Sequence, residues 1–96
     1  MENPEEPNIT FASFIVSLAT TAAIHFGDIE DPNTRTRGEP NLAAAKQMID
    51  LIAILQEKTA GNLSEPEAKL VEDLLYELRL RYVDAQQHGG RRIIEP

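Results

Sequence analysis

The sequence has no cysteine, no tryptophan and only two histidines. Without thiols there can be no disulfide, no thiolate nucleophile, no iron–sulfur ligation and no Cys-containing zinc site. A Cys-free chain suits a reducing compartment, and the expected location is the cytoplasm. Basic charge is scarce as well. Nine Lys and Arg stand against sixteen Asp and Glu, for a net charge of −7. That balance argues against a cationic nucleic-acid platform and against electrostatic adhesion to anionic lipid. With 96 residues the chain has room for one domain. No segment alternates apolar and polar residues long enough to demand a strand, and there are no internal repeats.

What is present is helical periodicity, in three stretches. Residues 1–8 (MENPEEPN) form an acidic, Pro-containing tail expected to be disordered; its glutamates and lack of Lys or Arg are the reverse of a secretory leader. The first helix is expected over about 9–26, capped by Asn8 or Thr10 and stopped by Gly27. Phe11, Phe14, Ile15, Leu18, Ala22, His25 and Phe26 recur along it at helical spacing. Its 18 residues carry no Asp, Glu, Lys or Arg and would span roughly 27 Å, close to the thickness of a bilayer core. Five Ser or Thr, acidic flanks and the absence of Trp, Tyr, Lys or Arg anchors count against insertion. The membrane is therefore an unlikely home for this helix, and burial in protein is the expectation.

Residues 27–40, including DIEDPNTRTRGEP, read as a long, mobile connection, with Arg35 and Arg37 on a solvated surface. The second helix is expected over about 41–60. Leu42, Ala45, Met48, Ile49, Leu51, Ile52 and Leu55 give it an apolar face wider than the roughly 100° that one neighbour requires. A third helix over about 64–88 has the strongest local signal. Ser64 and Glu67 form an S-x-x-E capping box with Pro66 in the first turn. Val71, Leu74, Leu75, Leu78 and Tyr82 follow as one stripe, flanked by Leu70 and Val83. Glu65 with Lys69, Glu77 with Arg81 and Lys46 with Asp50 are spaced as i,i+4 ion pairs. Gly89 and Gly90 should end the helix, leaving a tail over 89–96.

No catalytic constellation emerges. His25 and His88 are isolated, and His25 is best read as a helix-end histidine next to the carbonyl dipole. Ser13 and Ser17 stand in helical register rather than on a strained elbow, and Ser64 is accounted for as a cap. Glu72 and Asp73 diverge by about 100° and make no carboxylate pair. No Gly-rich phosphate loop is present. No catalytic residue, metal or cofactor is assigned, and no nucleic-acid partner is expected.

The segments FASFIVSLATTA, NLAAAKQMIDLIAILQEKTAGNL and EAKLVEDLLYELRLRYVD together resemble a bacterial family known only as a domain of unknown function, number 1844. The resemblance runs from Phe11 to Asp84 outside the loop and is most specific in LQEKTAGNL and LYELRLRY. It departs from the family pattern at Ala60, where lysine is common, and at Leu80, where methionine is common. It implies a small all-helical cytoplasmic protein and transfers no catalytic residue.

These readings converge on an all-α domain over residues 9–88, with three main helices packed as part of a helical homo-oligomer. A homodimer is the simplest form, acting as a structural or protein-interaction module and open to a further protein partner. The expected interface residues are Phe11, Phe14, Ile15, Leu18, Phe26, Met48, Leu51 and Leu55. Lys58, Thr59, Gly61 and Asn62 form a polar turn read first as capping, with Asn62 tying it through its side chain. With Tyr76, the same residues are the alternative recognition surface. Two other functional readings remain open at this point. One is a peripheral membrane accessory protein using helix 9–26; the more remote is a small enzyme with a carboxylate site between subunits.

Overall fold

Helix formation follows the apolar period, and the ends follow the caps. The computed structural model describes residues 9–88; the two expected tails lie outside that range, with Gly89 and Gly90. Helix α1 spans Phe11–Phe26, α2 spans Leu42–Lys58 and α3 spans Glu65–Gln87. Each begins one or two residues inside its expected start, because Thr10, Asn41 and Ser64 serve as N-caps rather than as helical residues. At α3 the Glu67 N–H donates to Ser64 Oγ at 3.3 Å, and the Ser64 N–H donates to Glu67 Oε1 at 2.8 Å. A second capping box, not anticipated, starts α1. Ser13 N–H donates to Thr10 Oγ1 at 3.0 Å and Thr10 N–H to Ser13 Oγ at 2.9 Å.

Two further hydroxyls inside α1 are also occupied locally. Ser17 donates to the Phe14 carbonyl at 2.6 Å and Thr21 to the Ser17 carbonyl at 2.9 Å. These bonds let the helix carry Ser and Thr among apolar residues without stranding polar groups. No helix among the described residues is long and apolar enough to cross a membrane.

All three helices contact one another, and the α1–α2 contact is the most extensive. The Asn41 N–H donates to the His25 carbonyl at 2.7 Å, so α2 starts where α1 ends. A short turn then returns the chain into α3, giving an up-down-up bundle. The core takes Ile15, Ala22 and Phe26 from α1, Ala45, Ile49 and Ile52 from α2, and Val71, Leu75, Leu78 and Ala85 from α3. These positions recur at three, four and seven residues, the spacing that keeps one face inward. One fully buried alanine comes from each helix: Ala22, Ala45 and Ala85. All three lie toward the end of the bundle where α1 finishes, α2 starts and α3 finishes.

An ion pair fastens that same end. Arg81 grips Asp28 with two bonds, Nε to Oδ2 at 2.8 Å and Nη2 to Oδ1 at 2.9 Å, and reaches Asp84 Oδ2 with Nη1 at 3.2 Å. Its guanidinium carbon lies 4.9 Å from the centroid of the Phe26 ring. The Arg81 and Asp28 side chains are only 15% and 19% exposed. The hydrogen bond to Asp28 holds the Arg81 pKa above its ordinary value. The expected pairing of Arg81 with Glu77 is thus superseded by a contact that joins α3 to the residue following α1. Lys69, expected to pair with Glu65, reaches Asp73 at 3.2 Å, while Lys46 and Asp50 pair as anticipated at 2.9 Å. Both of those pairs are exposed and contribute little to stability.

The connection after α1, expected to be long and mobile, contains a defined turn. Asp31 and Thr36 form a bridge, with Asp31 N–H to the Thr36 carbonyl at 2.9 Å and Arg35 N–H to the Asp31 carbonyl at 2.7 Å. The Asp31 carboxylate also accepts from the Asn33 N–H at 2.8 Å. Asp-Pro-Asn is turn chemistry, because Asp closes on the backbone two residues ahead and Pro presets the first corner. Gly27 has φ +81°, and a Cβ there would stand 3.2 Å from the Gly38 carbonyl oxygen. Gly61 has φ +86° but open space around it.

Three stability outcomes follow, all readable by equilibrium denaturation of the full chain. Ser64→Ala should cost about 1 kcal/mol by removing the acceptor for Glu67 N–H; no loss would mean that the box contributes nothing. Both Gly27→Ala and Gly61→Ala should destabilise by roughly 1–2 kcal/mol for the left-handed backbone. The Gly27 change should be the worse, since only there is the new methyl crowded; equal losses would contradict the close approach. Asp28→Asn and Arg81→Lys should each cost roughly 1–3 kcal/mol, because the charged two-bond grip is lost in a partly buried place. A stability unchanged by either would remove the clamp from the account of this end.

Candidate functional site

The eight residues expected to form an interface are divided by the fold. Ile15 and Phe26 are fully buried in the chain's own core and are unavailable to a partner. Phe11, Leu18, Met48 and Leu55 are partly buried and pack against that core. Only Phe14 and Leu51 remain substantially exposed, at 43% and 42%. The physical reason lies in α2, which packs against both α1 and α3, so the breadth of its face, apart from Leu51, does not require a second copy.

The polar turn is assembled differently from the expectation. Thr59 caps α2, and its Oγ1–H donates to the Leu55 carbonyl at 2.6 Å. The Asn62 backbone N–H donates to the Thr59 carbonyl at 2.9 Å. Backbone bonds and the Thr59 hydroxyl therefore tie this turn, in place of the Asn62 side chain. Lys58, Gly61 and Asn62 are all exposed. Lys58 occupies the last turn of α2, where its charge suits the carbonyl dipole. His25 occupies the matching place in α1. Among the described residues no three His, Asp or Glu side chains converge as metal ligands.

Tyr76 is 62% exposed and opens onto a feature that single-residue reading did not reveal. An open groove of about 540 Å³ runs beside α3, lined by Gln56, Glu72, Leu75, Tyr76, Arg79, Leu80 and Val83. Leu75 is its buried floor; Leu80 and Val83 are 50% and 48% exposed on its outer wall. Tyr76, Leu80 and Val83 are spaced at four and seven residues, so they form a second apolar stripe along α3, beside the core stripe. That period is visible in the sequence, but it overlaps the stronger core pattern. Val83 was expected only as a flank of the core stripe, and Leu80 as a near-isosteric departure from a family pattern.

The groove also holds two opposite charges, Glu72 and Arg79. Seven residues place them on one side of α3, about 10.5 Å apart along its axis. At that separation they do not bond each other. The closest ion pairs on the same helix use Lys69 with Asp73 and Arg81 with Asp84. The lining thus combines an apolar floor and wall with one acid and one base.

A family described as Domain of unknown function (DUF1844) matches residues 8–84 of this chain. No curated protein and no solved structure is significantly similar to it.

Proposed function

The chain belongs to the family described as Domain of unknown function (DUF1844), and we propose that it works as a small self-associating helical interaction module. The observation that carries this reading is the stripe of Tyr76, Leu80 and Val83 beside the groove, each about half exposed or more. Apolar side chains of that size held together on one helix face favour contact with another protein over contact with water. The core does not need them, since its own stripe is filled from all three helices. The proposed contact therefore centres on α3 and the groove, and no longer on α1 and α2. Phe14 and Val16 of α1 and Leu51 and Ile54 of α2 are exposed as well, but none of them lines the groove. The reading assigns no catalysis and no cofactor, and a cytoplasmic setting is supported by the Cys-free sequence.

Leu80→Glu is the direct probe, because the side chain is half exposed and its loss leaves the core intact. Analytical ultracentrifugation over a wide concentration range should show wild-type self-association, weakened roughly tenfold or more by the variant. Helicity and cooperative unfolding should be retained. A wild-type chain that stays monomeric and cooperatively folded at high micromolar concentration would overturn the reading.

A further inference from the structure

We infer that two copies of this chain pair through α3 in an antiparallel two-fold contact, with Glu72 of each copy meeting Arg79 of the other. The inference rests on the self-association reading and adds to it the partner, the register and the charged pairs. A two-fold interface is self-complementary, so if residue i touches residue j, then j touches i. One acid and one base on the same face, seven residues apart, satisfy that condition when the helices run in opposite directions. Each copy then forms the same two bridges.

The register follows from the midpoint. A two-fold axis midway between Glu72 and Arg79 passes between Leu75 and Tyr76. These are the buried floor of the groove and its most exposed aromatic residue, 2% and 62% accessible. The two Tyr76 rings come together there, each covering apolar surface of the other copy. Further out, Val83 comes opposite position 68 of the second copy. Ala68 is exposed and small enough to admit it. A parallel pairing in the same register would set Glu72 against Glu72 and Arg79 against Arg79, and like charges across an interface disfavour it. Neither Glu72 nor Arg79 has an ion-pair partner within the chain among the described residues, so the new bridges displace none.

Charge reversal tests this register separately from self-association. Glu72→Arg puts two Arg–Arg encounters into its own dimer, and Arg79→Glu puts in two Glu–Glu encounters. Each single variant, as full-length chain, should associate roughly tenfold more weakly than wild type or worse. An equimolar mixture of the two should recover, because each mixed dimer contains two Arg–Glu pairs. The double variant should recover on its own. Sedimentation equilibrium measures the constants, native mass spectrometry of the mixture identifies the mixed dimer, and circular dichroism confirms that each chain is folded. Self-association that is unchanged in both single variants would overturn the α3 register and leave the wider reading standing. Weakened single variants with no recovery in the mixture or the double variant would do the same. A wild-type monomer throughout, including one that binds only a different protein, would overturn both.

Discussion

How closely the three helices approach one another is set by residues with almost no side chain. Ala22, Ala45 and Ala85 are fully buried, one from each helix, toward the same end of the bundle. Alanine gives little apolar area to bury, so this end gains less from the hydrophobic effect than the end holding Ile15, Ile52, Val71 and Leu75. The rest of the architecture makes up the difference there. Phe26, the largest fully buried side chain, sits at this end, and Arg81 covers its ring while gripping Asp28. Close approach, an aromatic plug and a charged clasp act together where aliphatic bulk is lacking.

Local chemistry made most of the fold legible in the sequence. The Ser64–Glu67 box, the Gly27 stop and the three periodic stripes depend on residues within a turn or two of one another. The Thr10–Ser13 box was less visible because serine takes the place of the usual Glu or Gln at the third helical position. The Asp28–Arg81 grip was not legible at all. Its partners are 53 residues apart, and local spacing offered Arg81 a nearer acid in Glu77. The Asp31 turn was hidden for another reason. Its bonds are local, from Asp31 to Asn33, Arg35 and Thr36, and Asp-Pro-Asn signals a turn, but the segment has no apolar period to fix which residues close it.

The candidate site shows the same division between local pattern and packing. Amphipathicity says how much apolar surface a helix carries, but not which neighbour covers it. The wide face of α2 looked like surplus, yet Ala45, Ile49 and Ile52 are consumed inside the chain, and the second stripe of α3 stays outside beside the groove. Tyr76 could be singled out from its position off the core stripe. Recognising Leu80, Val83, Glu72 and Arg79 as its companions required the groove itself. The family match over residues 8–84 brings no chemistry with it. Function therefore has to be argued from the surface that the fold leaves uncovered.

Both ends of the connection between α1 and α2 are anchored independently of what lies between them. Asp28, directly after the Gly27 cap, is held by Arg81; Asn41, directly before α2, is held by the His25 carbonyl. The intervening turn around Asp31 closes on itself, so it does not set the spacing of the helices. Such a segment can be lengthened at little thermodynamic cost, since doubling a flexible loop adds only about 0.6 kcal/mol of closure entropy. The stretch from Glu30 to Arg37, short of the Gly38 carbonyl that approaches Gly27, is thus a place where the chain can accept an inserted epitope, reporter or new binding loop while the bundle beneath keeps its geometry.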